Sequence, residues 1–124
     1  MKPKKIRLNR AEKNLQLVFS DAEFTLPAEY LRVYSPSAEV RGHGASERVL
    51  VSGKMQVSID ALEAAGRYAL KINFDDGHDT GIFTWEYLRE LAENYATNWE
   101  AYLQRLRAAG QGRDPDESVV KLIG

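Results

Sequence analysis

The stretch from Arg67 to Leu91, RYALKINFDDGHDTGIFTWEYLREL, constrains the fold most, because strand, turn, strand and helix signals follow one another with almost no connecting chain. Tyr68, Leu70, Ile72 and Phe74 alternate with Arg67, Ala69, Lys71 and Asn73. A period of two sends one row of side chains to a core and the other to solvent, so this reads as a half-buried strand whose inner row starts at Tyr68. Asp75, Asp76, Gly77 and His78 supply the turn, since glycine accepts positive φ without steric cost and aspartate bonds its own backbone. Ile82 and Phe83 close the hairpin. Thr84 stands where a capping hydroxyl accepts from an orphan amide, and Glu86 where the first-turn dipole favours an anion. His78 is thereby predicted at the corner of a rigid unit.

With 124 residues, 44% hydrophobic and 28% charged, the chain suits a single domain, residues 1–124, that buries roughly two thirds of its unfolded surface. A net charge of -1 provides no global field for a polyanion, so no nucleic-acid partner is expected. The absence of cysteine excludes disulfides, thiolate metal sites and cysteine nucleophiles together. Apolar runs fall far short of the roughly 20 residues that span a bilayer, and no apolar stretch follows the basic opening MKPKKIRLNR. A cytoplasmic location without membrane contact is the expectation.

In chain order, residues 1–10 form a basic segment around a short strand at Ile6 and Leu8, whose lysines discourage edge-to-edge pairing; the sharper reading is an arm for RNA or an acidic partner. Leu15, Leu17 and Phe19, then Phe24 and Leu26, predict a hairpin. Pro27 suits the first position of a helix through Tyr34, which Ser35-Pro36 ends. Residues 35–47 carry Pro36, Gly42 and Gly44 with little periodicity and read as a loop. Val49–Val51 and Met55–Ile59 are expected as short strands, and Asp60–Ala65 as one helical turn closed by Gly66. From Thr84 the stripe Leu88, Leu91, Ala92, Tyr95, Trp99, Tyr102, Leu103 and Leu106 keeps helical spacing. The capping-box spacing from Thr97 to Glu100 predicts two helices with a break near Thr97. Arg105 and Arg107 complement the final carbonyls, Gly110 ends the helix, and 111–124 reads as a loose tail. The pattern is an α+β fold, a small and mainly antiparallel sheet with C-terminal helices packed against it.

Chemistry-bearing residues are few. Asp75, Asp76 and Asp79 flank His78, a composition suited to a divalent cation or to acid–base work. A turn splays neighbouring side chains, however, and DDGHD lacks the regular oxygen positions of a calcium loop, so a turn-fixing role is the plainer reading. His43, with Glu39 or an aspartate, would suit iron or zinc if it met His78 in space; an exposed loop histidine is the plainer alternative. Neither a phosphate-cradling glycine motif nor a nucleophile elbow is present, and Gly53-Lys54 reads as a turn. Trp85 is placed to line a shallow pocket with Tyr34 and Phe83.

At LPAEYLRVYSPSAEVRGHG, LVSGKMQVSIDALEAAGRYALKINFDDGH and DTGIFTWEYLREL, and over about Leu15 to Leu106, the chain resembles the gamma-butyrobetaine hydroxylase-like N-terminal domain family, formerly a bacterial domain of unknown function. The resemblance implies an α+β accessory module. In the eukaryotic hydroxylases it precedes a separate oxygenase domain with the catalytic iron, and similar domains are appended to P-loop ATPases linked to iron–sulfur cluster delivery. The hydroxylase domain's zinc site uses three cysteines and the histidine of an Asp-Gly-His turn. Leu31-Arg32 and Asp76-Gly77-His78 match that pattern, whereas the cysteine positions fall on Ser35, Ser37 and Val40. Only His78 remains of four ligands, and hydroxyls and a valine do not replace thiolates, so no zinc cage is expected.

Together these readings predict a non-catalytic module that binds another protein, with Arg32, Asp76, Gly77 and Trp85 on its surface and no obligate cofactor. The alternative is a weak zinc or iron site at His78, in the manner of an accessory factor for iron–sulfur assembly. Oligomeric state has no signal in the sequence.

Overall fold

The computed structural model describes residues 1–36, 50–79 and 81–115. Those residues form an α+β fold, with six strands among them divided between two small antiparallel sheets. The first sheet runs β1 (Lys5–Asn9), β2 (Asn14–Val18) and β3 (Glu23–Pro27), in that spatial order. The register pairs Ile6 with Leu17 and Leu17 with Phe24, and Leu8 with Leu15 and Leu15 with Leu26, so the apolar rows of all three strands fall on one face. Helix α1 (Ala28–Val33) follows at once. Pro27 is its cap and not its first residue: with φ -63° and ψ 145° it still belongs to the strand.

The second sheet comprises β4 (Ile59–Ala65), β5 (Ala69–Phe74) and β6 (Gly81–Thr84). Three expectations change here. Residues 50–58 form no strand, and the helical turn expected at Asp60–Ala65 is β4 itself. Its Ala, Leu and Glu residues favour a helix locally, but pairing with β5 wins: Leu62 opposes Ile72, and Glu63 Oε2 accepts from Asn73 Nδ2 at 2.9 Å and lies 4.0 Å from Lys71 Nζ. Tyr68 is not the start of the inner row. The strand begins one residue later, leaving Tyr68 77% exposed in the turn while Leu70, Ile72 and Phe74 are buried.

Helices α2 (Trp85–Glu93) and α3 (Tyr95–Ala108) complete the chain. Thr84 Oγ1 accepts from the Tyr87 amide at 3.0 Å, the expected cap. The break falls at Asn94 and not at Thr97: with φ -108° and ψ 22° it ends α2 and opens α3, its carbonyl accepting from the Asn98 amide at 2.8 Å. Beyond α3, Gly110 takes φ +67°, its amide donates to Arg107 O, and Gln111 N reaches back to Leu106 O, a glycine-ended closure. Among the described residues no helix is long and apolar enough to cross a membrane.

One core joins the layers: Leu15, Leu17 and Leu26 from the first sheet, Ile59, Ile72, Phe74 and Phe83 from the second, and Tyr30, Leu31, Leu88 and Leu91 from the helices. A smaller cluster packs Val33, Tyr102 and Leu106 with Leu50, Val51 and Trp99. Residues 111–115, expected to be loose, instead return to the body. Gly53 N donates to Gly112 O and Met55 N to Arg113 O, while Arg113 forms a two-pronged ion pair with the buried Glu29 at 2.7 and 2.9 Å and lies over the Trp99 ring.

Candidate functional site

Local backbone geometry builds the corner at the β5–β6 turn. Phe74 N donates to His78 O at 2.9 Å and Gly77 N to Phe74 O at 3.2 Å, which forces Gly77 to φ +91°, a conformation cheap for glycine. Asp75 faces the 50–58 segment, accepting from Ser58 N at 3.0 Å through Oδ1 while its own amide donates to Ser58 O. Asp76 also reaches that segment, at Lys54, and adds Arg32 of α1.

Asp76 Oδ2 accepts from Arg32 Nε of α1 at 2.8 Å and from Lys54 Nζ at 2.6 Å, and its Oδ1 accepts from the His78 amide at 3.1 Å. Burial pushes this carboxyl up, but the donors from Lys54, His78 N and Arg32 outweigh it and hold its pKa at about 2. Arg32 and the Asp76-Gly77-His78 turn, 44 residues apart, therefore meet directly. Lys54, which sequence reasoning treated only as part of a turn, completes the set. Gly53, at φ +69°, announces the turn before it but not the reach of the lysine to Asp76.

His78 is fixed from a second side. Its Nε2 lies 3.1 Å from Ser35 Oγ, a hydrogen bond whose direction follows the ring tautomer, and its ring tilts against Phe74 at 6.0 Å. Ser35 is only 8% exposed and sits just past α1, where its amide donates to Arg32 O. The preceding carbonyl, Tyr34 O, accepts from Tyr87 Oη, whose ring stacks on Phe83. Gly81 of β6 packs so closely on Ser35 that an added Cβ would overlap Oγ. Tyr87 and Gly81 were not singled out from sequence; only their packing reveals them.

Trp85 lies elsewhere. Its Nε1 donates to Arg67 O at 2.8 Å and its amide to Tyr68 O, which puts it at the opposite end of β5 from the turn, roughly 17 Å away at ~3.3 Å per residue. Its neighbours in a recess of about 210 Å³ are Met1, Tyr68, Thr84 and Glu86, and not Tyr34 and Phe83. Phe83 is fully buried, and Tyr34 Oη is turned to Asn98 O at 2.8 Å.

A match to the family model described as gamma-butyrobetaine hydroxylase-like, N-terminal, spans residues 6–89. The chain belongs to this family. Two solution NMR structures are similar to the family member: one is 54% identical with a TM-score of 0.84, covering 96% of this chain and 94% of its own, and the other is 50% identical with a TM-score of 0.80, covering 92% and 86%. A crystal structure from Acidithiobacillus ferrooxidans ATCC 23270, of a protein of unknown function in the DUF971 family, is 37% identical with a TM-score of 0.62, covering 73% of this chain and 92% of its own. No curated protein gives a significant match.

Of the four positions that the resemblance assigns to a zinc cage, Ser35 and His78 lie within the described residues. His78 is in place, but it points at the Ser35 hydroxyl, a poor zinc donor. Among the described residues no three of His, Cys, Asp and Glu converge on a point. Ser37, Glu39, Val40 and His43 lie outside the described residues.

Proposed function

We propose that this domain is a non-catalytic module that recognises another protein through the Arg32, Asp76, Gly77 and His78 corner. One observation carries the reading: the corner's polar groups are spent on one another in a fixed arrangement. Asp76 accepts from three donors, Asp75 holds the 50–58 segment, and Ser35 and His78 face each other. A carboxylate whose pKa is held at about 2 is a poor general base near neutrality. A serine hydroxyl covered by the Gly81 backbone has little room for an acyl group. What the corner offers a partner is shape with both signs of charge preorganised, which favours recognition over turnover.

A second reading, a weak zinc or iron site at His78, rests on the adjacency of the imidazole to Ser35, a position that corresponds to a cysteine ligand in the hydroxylase domains. Elemental analysis separates the two. The purified chain, equilibrated with Zn2+ or Fe2+ and desalted, is expected to carry no stoichiometric metal, and His78→Ala to behave alike. One ion per chain, lost in that variant, would replace the first reading with the second. In the native cell, cross-linking to the tagged chain is expected to capture a partner that Asp76→Lys loses; capture indifferent to that change would move the interface away from the corner.

A further inference from the structure

The cationic side chains divide into two populations. Arg32, Lys54, Arg89 and Arg113 are committed to ion pairs, and Arg10 and Lys13 to hydrogen bonds with Asp60 O and Gln56. Lys4, Lys5 and Arg7 are exposed and take no side-chain hydrogen bond or ion pair among the described residues. The register fixes where the latter two point. Ile6 and Leu8 of β1 pack toward the core, so Lys5 and Arg7 stand on the outer face, opposite Val18 and Gln16 of β2. With Lys4 and Glu23 these residues line a recess of about 370 Å³.

The charge is also segregated along the chain. Residues 1–10 hold five basic and no acidic residues, leaving 12 of the 17 basic residues against all 18 acidic ones on the remainder. The segment that carries β1 is therefore cationic in a molecule close to neutral overall. β1 is an end strand in the order β1-β2-β3, and no strand pairs its other side among the described residues. Half of its backbone amides and carbonyls thus point away from β2, and among the described residues no strand takes them up.

We propose that the free edge of β1 and the adjoining outer face dock an extended acidic segment of another polypeptide. An incoming strand would complete the ladder along β1, and carboxylates at a period of two would fall beside Lys5 and Arg7, with Val18 as an apolar floor. The same lysines repel the β1 edge of a second copy, which favours a different partner over self-association. Nucleic acid fits less well. The rest of the molecule is acidic, Glu23 stands at the recess, and the nearby aromatic ring, Phe24, packs toward the core and offers no stacking platform.

The test uses the full chain, a labelled decapeptide of alternating glutamate and threonine, and a single-stranded RNA decamer. Fluorescence anisotropy is expected to show peptide binding that weakens with salt and falls about tenfold in a Lys5→Glu/Arg7→Glu variant, with amide shifts concentrated in Lys4–Asn9. The milder Lys5→Gln/Arg7→Gln variant, with an unchanged circular dichroism spectrum, is expected to lose affinity in the same direction. No peptide binding, affinity unchanged in the neutralised variant, shifts away from β1, or tighter binding of the RNA would each overturn the proposal. Because the surface is remote in sequence from Asp76, a negative result here leaves the corner reading standing.

Discussion

At one end of the β5–β6 hairpin, Asp76 collects Arg32, Lys54 and the His78 amide; at the other, Trp85 is buried and its indole reaches Arg67 O. The two ends are held by different physics. The turn end is tied by directional, charge-assisted bonds near solvent, so its shape depends on protonation and salt. The tryptophan end is held chiefly by apolar burial, which is stronger and blind to pH. A surface meant for recognition is better placed at the first kind of end, where little core packing is at stake when the contacting residues change.

Substitutions at the two ends should separate these effects, the largest first. Trp85→Ala removes a side chain with 8% exposure and strands the Arg67 carbonyl, so urea unfolding is expected to show a loss of about 3–5 kcal/mol at any pH between 3 and 8. A loss below about 1 kcal/mol would mean that this end is not the stronger anchor. Gly81→Ala comes next. Its methyl meets Ser35 Oγ and approaches Phe83, and a loss of about 2 kcal/mol is expected, with partial recovery in the Gly81→Ala/Ser35→Ala double variant. No recovery would show that the contact with Phe83, and not the hydroxyl, sets the cost.

Asp76→Asn is the smallest. The folded pKa, about 2, lies below the ordinary 3.8, so the ionised form is favoured by the fold. That stability is present above about pH 4 and is lost as pH falls from 4 toward 2. With the side chain 19% exposed, about 1–2 kcal/mol remains after solvent screening. The variant should therefore be less stable than the parent at pH 7 and nearly equal to it at pH 2. An equal deficit at both pH values would assign the loss to turn geometry and not to charge.

The hairpin was legible because its signals are local: alternation in Leu70, Ile72 and Phe74, a turn that needs Gly77, and a cap at Thr84. β4 was not, since Asp60–Ala65 takes its conformation from β5 and against its own preference. Tyr68 was misplaced by carrying the period of two one residue too far into the turn. At the corner, the Asp76-Gly77-His78 turn and Arg32 were named in advance, but nothing local marks Lys54 as their companion or Ser35 as the group facing His78. The separation of Trp85 from the turn follows from strand length alone, yet it needed the strand's true limits.

The pairing of Glu29 with Arg113 bears on how the molecule is made. The carboxylate leaves the ribosome 84 residues ahead of its countercharge, and until then a group that ends 6% exposed has to remain hydrated. Gly53 and Met55 likewise donate to the carbonyls of residues 112 and 113, so the segment that carries Lys54 leans on the same late stretch of chain. Contacts of high sequence separation, and not local ones, thus complete the surroundings of the corner.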